Sequence, residues 1–359
     1  MLKFSSLLTK EATWNVSNRT KRNSNMELFR IVLIFLVLVV HADFFTLGIP
    51  TQADVFSNPM QSFMRFFIQS VSIVAVNGFV LLSGWFGIRA KVSSFLNLVF
   101  QILFYGVGIY VICLSLGLSE FNINGVLNVF LMTNAEWFVK SYIGLLILSP
   151  ILNTFIENTT EKQLRLAVIY FYIFQTLYGW FPGGAQFFER GYSTMSFVGL
   201  YLLARYIRLY MYDVVSWNKW FDLLGYFGIV FFITVVAFVA QRLGISLIMG
   251  RMYDYSSPFV VLAPIFLLLF FSKLSIKSKF VNWVGASSFA AYLLHVNPNL
   301  CRPFYCRCIY FIYENNAGVC VLLLIFLFLL MVFFMALLID QLRIFVWNKI
   351  IYLTAKNRQ

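Results

Sequence analysis

The sequence predicts an all-α integral membrane protein, a bundle of about ten transmembrane helices with both termini in the cytoplasm. Of its 359 residues 61% are hydrophobic and only 11% charged, whereas soluble domains carry about 25% charged residues. Ten apolar stretches are long enough to cross a bilayer: about 28–48, 66–87, 95–117, 137–156, 164–181, 193–211, 220–241, 256–272, 281–299 and 317–340. With the N-terminus inside, 20 of the lysines and arginines fall on the inner side and 7 on the outer. Such a bias sets orientation, and it makes the span count even.

Taken in order, residues 1–25 form a basic tail with Lys3, Lys10, Arg19, Lys21 and Arg22. The tail lacks the apolar core and small-residue cleavage site of a secretory signal, so the first span reads as an uncleaved anchor. Residues 26–345 read as one membrane domain, and 346–359 as a basic cytoplasmic tail. The net charge of +13 is scattered between apolar blocks, which fits a membrane surface and not nucleic acid. All loops are short, so any chemistry lies within the membrane domain or at its faces.

The first span opens NMELFRIVLIFLVLVVHADFF and carries one of only two histidines. His41 follows Arg30 by eleven residues, which on a helix places the two about 20° apart in azimuth and about 16 Å apart in height. Glu27 precedes Arg30 by three and shares that face. An intramembrane polar stripe lines a cavity more readily than it faces lipid. The plainer alternatives stand beside it: Arg30 as a snorkelling anchor, and His41 as a hydrogen-bonding partner of a neighbouring helix.

Further polar residues within spans are Asn77, Ser83, Asn97, Gln101, Lys140, Tyr142, Ser149, Asn153 and Gln175. Lys140 follows Glu136 by four, a spacing that permits an ion pair near the outer boundary, and it also suits a snorkelling interface lysine. Trp137 and Trp180 fit interfacial belts. Asp43, two past His41, points to another helix face and reads as a solvated charge at the outer surface. His295 follows the small residues Gly285, Ala286, Ser287, Ser288, Ala290 and Ala291, which permit close helix packing. It reads either as a second functional histidine or as a structural hydrogen bonder ahead of Pro298. In CRPFYCRC, Cys301, Cys306 and Cys308 lie on the outer side, where a disulfide can form; their spacing is no familiar metal motif.

Four segments in order resemble the membrane-bound acyltransferase-three superfamily, which O-acylates bacterial surface glycans and other exported molecules. These are Glu27, Arg30 and His41 in the first span; NGFVLLSGWFGI at 77–88; WFVKSYIGLLILSPILN at 137–153; and SSFAAYLLHVNP at 287–298. The resemblance spans nearly the whole chain. It implies a bacterial inner-membrane enzyme taking an acyl group, commonly acetyl, from acyl-CoA on the cytoplasmic side to a hydroxyl of a glycan or lipid-linked glycan. In that scheme His41 is general base or transient acyl carrier, and Arg30, with Glu27, holds the donor or the site's geometry. Acyl-CoA is then a co-substrate, with no resident cofactor or metal.

One departure is visible. Many members carry two arginines three apart after the second or third span, whereas GIRAKV offers Arg89 and Lys91 at a spacing of two. Arg89, Lys91, Arg205 and Arg208 therefore stand as candidate partners of CoA phosphates, or as plain topology determinants. His295, Trp137, Lys140, Tyr142 and Ser83 stand as acceptor or second-site candidates. A transporter or flippase for a glycan lipid or small metabolite, without covalent chemistry, is the competing reading. Such folds often show internal repeats, and no repeat of fixed period is evident.

Overall fold

The computed structural model of the chain describes residues 23–89, 91–130, 137–181 and 185–356. The tail charges from Lys3 to Arg22, Glu136 and Arg358 lie outside the described residues. Every regular element among the described residues is helical. Six helical stretches are long and apolar enough to cross a membrane: Ser24–Leu47, Pro59–Phe86, Val92–Ser115, Trp137–Glu157, Lys219–Arg242 and Val319–Thr354.

The four other expected spans appear as shorter helices. Glu161–Gln175 and Pro258–Ser272 have 15 residues each, and Thr194–Tyr210 has 17. The stretch 281–299 divides at Ser288 into Lys279–Ser287 and Phe289–His295. Capping explains the ends. Thr160 opens its helix with a reciprocal capping box to Gln163, and Ser193 and Ser278 accept from backbone N–H groups three residues on, which satisfies donors that the first helical turn leaves without an intrahelical partner.

The chain divides into two compact units, one of residues 28–89 and 136–276, the other of 1–27, 90–135 and 277–359. The helix Ser24–Ala42, here α1, begins in the second and continues in the first. In the first unit, Ala75–Phe86 (α2) is the central buried helix, and glycines let its neighbours close on it. A Cβ on Gly78 would collide with Leu33 of α1, and one on Gly84 would sit 2.7 Å from Ala204 Cβ. Ala204 belongs to Thr194–Tyr210 (α4), which also packs on Trp137–Glu157 (α3).

Contacts along these helices orient the unit end to end. Phe29, at the start of α1, meets Phe271 at the end of Pro258–Ser272 (α5), with ring centroids 5.2 Å apart. Phe44, just past its end, meets Tyr253, just before α5, at 5.4 Å. So α1 and α5 are antiparallel. The end holding Phe29 and Phe271 also holds a buried latch: the Lys273 ammonium donates to Asp222 at 2.6 Å and to the Val214 carbonyl at 3.1 Å.

In the second unit, Val92–Ser115 (α6) packs on the 38-residue helix Val319–Lys356 (α7). Asp340 and Arg343 of α7 form a buried bidentate pair. Asn97 accepts from Arg343, and Gln101 and Tyr105 donate to Asp340. Arg343 is therefore not simply an inner-face charge: it neutralises a carboxylate inside the bundle. Cys301, Cys306 and Cys308 are free thiols. Cys301–Cys306 forms a π-helical turn that packs Tyr305 beside His295, with ring centroids 5.3 Å apart.

Candidate functional site

The helix α1 is unbroken from Ser24 to Ala42, so Glu27, Arg30 and His41 do share one stripe. Ile34 and Val37 lie within about 40° of Arg30 in azimuth and are both buried. Arg30 and His41 are half-buried at the two ends of that line. The stripe thus faces protein.

Glu27 is buried against the second unit's own small-residue helix: a Cβ on Gly285 would lie 2.9 Å from Glu27 Cβ and closer still to its carboxylate. Nearby, the Ser278 N–H donates to Ser24 Oγ at 3.0 Å. Gly285, the first of the small residues at 285–291, permits this close approach.

The His41 ring donates to the backbone carbonyl of Val37, one turn back. A carbonyl can only accept, so in the neutral ring the nitrogen facing it carries the proton and the other the lone pair. Phe45 packs edge-on against the ring at 5.2 Å. Directly after Ala42 the backbone widens into a π-helical turn, Asp43–Leu47. Thr46 Oγ1 donates to the His41 carbonyl at 2.5 Å. The wider turn swings Asp43 inward. It is buried and accepts from Arg65 Nε at 2.7 Å, so the solvated surface charge expected from the sequence is instead a buried ion pair. Arg65 also donates to the Gly48 carbonyl, which fixes the turn at both ends.

The segment 77–88 is accounted for almost residue by residue. Asn77 Nδ2 donates to the carbonyls of Tyr255 and Val260 at 3.0 and 3.1 Å. Ser83 Oγ and Tyr142 Oη, both acceptor-site candidates, lie 3.0 Å apart. Past the helix, Gly87 adopts φ +75°, and the guanidinium of Arg205 packs on it. Arg208 lies over the Trp85 ring, 4.7 Å from its centroid. The Ile88 N–H donates to Tyr201 Oη at 3.0 Å, Tyr201 donates to Asn153 Oδ1 at 2.5 Å, and Asn153 Nδ2 donates to the Ile88 carbonyl at 2.8 Å. Exposed Arg89 follows immediately. Three cationic candidates, Arg89, Arg205 and Arg208, thus gather around one rigidly held turn.

At the opposite end of α3, Trp137 sits among Tyr192, Tyr255 and Phe197, with centroids 4.5, 5.4 and 5.9 Å away. Phe138 links this cluster to Tyr142, on which it stacks. Partial burial and the nearby Asp254 carboxylate hold the Tyr192 phenol above its usual pKa. Trp180 is half-buried, and its Nε1 donates to the Arg251 carbonyl at 2.7 Å. Lys140 is exposed. Lys91 and His295 belong to the other unit, where His295 is only 2% exposed and its Nδ1 donates to the Ala291 carbonyl at 2.7 Å.

Three features escaped sequence reasoning. The bond circuit through Tyr201 and Asn153 is carried by one tyrosine among 19 and has no spacing signature. The Asp254–Tyr255 corner lies in a loop. The Asp340–Arg343 pair did leave a trace, an acid closing the 21-residue apolar run 319–339 with an arginine one turn on.

The family model for an acyltransferase domain matches residues 23–340. No curated protein and no solved structure matches the chain.

Proposed function

The chain belongs to the acyltransferase-three superfamily, and from that premise we propose that it moves an acyl group, acetyl in the commonest case, from acyl-CoA to a hydroxyl of a surface or exported glycan. The setting is a bacterial inner membrane, crossed about ten times with both termini inside, as the 20-to-7 charge distribution favours. The observation that carries the reading is the polarity of the first unit. Arg89, Arg205 and Arg208 cluster at one end of α2, while α1 carries His41 toward the other, where Phe44 meets Tyr253.

In this scheme the arginines at the Gly87 turn hold CoA phosphates, and Arg30 steadies the donor partway along the stripe. His41 accepts the acceptor's hydroxyl proton on the nitrogen opposite its Val37 bond as the hydroxyl oxygen attacks the thioester carbonyl. The carbon–sulfur bond then breaks, and the departing thiolate takes a proton from the imidazolium. In the acyl-carrier alternative the same nitrogen attacks the thioester and the carbon–sulfur bond breaks; the acceptor oxygen then takes the acyl group, the carbon–nitrogen bond breaks, and the hydroxyl proton passes to the thiolate. The apolar walls of α1 limit thioester hydrolysis by water.

The test is His41→Ala in cells, after its membrane insertion has been verified. Acetate per sugar on the surface polysaccharide is expected to fall by about 10²-fold or more with export intact. Loss of export with acetate per sugar unchanged would overturn the proposal in favour of transport.

A further inference from the structure

Trp137, Tyr192 and Tyr255 meet pairwise at centroid distances of 4.5, 5.4 and 4.9 Å with interplanar angles of 56°, 36° and 64°. Rings tilted in this way meet at an angle and not as a stack, and half-buried Trp137 and exposed Tyr192 leave ring surface open. Tyr255 is 7% exposed, Phe197 against Trp137 is fully buried, and Tyr192 is 48% exposed at the rim. A lipid-facing belt would show the reverse pattern, with every ring outward. Beside the corner, Asp254 is buried with Arg251 Nη1 3.1 Å from Oδ2 and Arg190 Nε 3.9 Å from Oδ1.

The backbone that delivers this group is unusual. Phe187 and Arg190 both adopt positive φ, +71° and +56°, a conformation costing on the order of 1–3 kcal/mol at a residue with a side chain. Gly191 follows at +82°, so close to Ser256 N that a Cβ would sit 2.6 Å from it. The Ser256 N–H in turn donates to the Arg190 carbonyl at 3.3 Å. Ser256 Oγ donates to the Gly179 carbonyl at 2.9 Å. Around the same Gly179, Gln175 Oε1 and the Ser257 hydroxyl are buried without a hydrogen-bond partner.

The mixed chemistry narrows the ligand. Two guanidinium groups disfavour a cation in the aromatic corner, and a buried carboxylate disfavours an anion. Aromatic faces with charged donors and acceptors at their edge suit a neutral molecule with one C–H face and a rim of hydroxyls. We propose that the corner formed by Trp137, Tyr192 and Tyr255, edged by Asp254, Arg190 and Arg251, binds a pyranose ring and is the acceptor subsite. The word acceptor rests on the acyl-transfer reading; pyranose binding does not. The subsite lies at the same end of its unit as Tyr253 and Phe44, the end toward which α1 carries His41.

The experiment titrates the full-length chain in lipid nanodiscs with methyl glucopyranoside, and separately with mannitol, an acyclic polyol that has hydroxyls but no ring face. Tryptophan emission is followed into the high-millimolar range. A saturable change with the pyranoside but not with mannitol is expected. Trp137→Phe should abolish the signal, and Tyr192→Ala should weaken binding about tenfold, the worth of one stacking face. Tyr192 is at the rim, so its variant keeps the test open even where Trp137→Phe fails to fold. No saturable change with the pyranoside, an equal response to mannitol, or a signal surviving Trp137→Phe each overturns the proposal. Thioester consumption, followed separately, tells the two readings apart. Pyranoside binding at Trp137 without acyl-CoA consumption would leave the subsite standing and remove the enzyme. Consumption without binding would do the opposite.

Discussion

Replacing Asp340 with Leu should destabilise the protein more than any other single change to α7. Asp340 is 0% exposed; Arg343 meets it through two bonds of 2.9 Å and donates a third to Asn97 at 3.1 Å. Gln101 and Tyr105 add weaker bonds to Asp340 Oδ1 at 3.3 and 3.4 Å. Removing the carboxylate strands a buried guanidinium, which costs about 3–5 kcal/mol, a factor on the order of 10² to several 10³ in the folding equilibrium. At roughly 2 °C per kcal/mol, the unfolding midpoint drops by about 6 °C or more. Removing both charges, as Asp340→Leu with Arg343→Met, leaves nothing stranded and should return the midpoint to within about 2 °C of the parent. The assay is thermal unfolding of the purified chain followed by tryptophan fluorescence, with Trp347 one turn beyond the pair. An unshifted single variant, or a double variant as unstable as the two singles summed, would refute the reasoning.

Two further outcomes follow from close contacts. Gly84→Ala should lower the unfolding midpoint by about 1–3 kcal/mol equivalent, because its Cβ would meet Ala204 Cβ at 2.7 Å and the Tyr201 carbonyl at 2.8 Å. Gly108→Ala, with nothing within 4 Å, should raise it by about 0.5–1 kcal/mol through helix propensity alone; like signs for the two would contradict the packing account. Asn153→Ala releases the Ile88 carbonyl and the Tyr201 hydroxyl together, a loss of about 1–3 kcal/mol. On the proposed donor role of that turn, it should raise KM for acyl-CoA more than it lowers kcat, and a pure kcat effect in steady-state kinetics would argue against it.

The parts legible in the sequence were those that depend on one helix at a time. The stripe of Glu27, Arg30 and His41 follows from 3.6 residues per turn, and the small residues before His295 announce close packing; Gly285 against Glu27 is that packing. Span lengths were harder to read. Hydropathy marks where a chain is apolar, but the caps at Thr160, Ser193 and Ser278 decide where the helix starts. Least legible was whatever needs two distant segments. Ser83 and Tyr142 stood separately among polar residues within spans, and only tertiary packing brings them 3.0 Å apart. Asp43 misled because ideal α-helical spacing was carried through a stretch that the chain folds as a π-helical turn.

The length of α7 has a consequence of its own. Thirty-eight residues in one helix make a rod of about 57 Å, against about 40–45 Å for a whole bilayer including headgroups. Phe345, Tyr352 and Leu353 remain well exposed near its far end. A straight rod of that length overruns the membrane by about 12 Å or more unless it leans, and its last turns carry Lys349. A cationic side chain there favours a far end that emerges at the phosphate surface over one drawn into lipid.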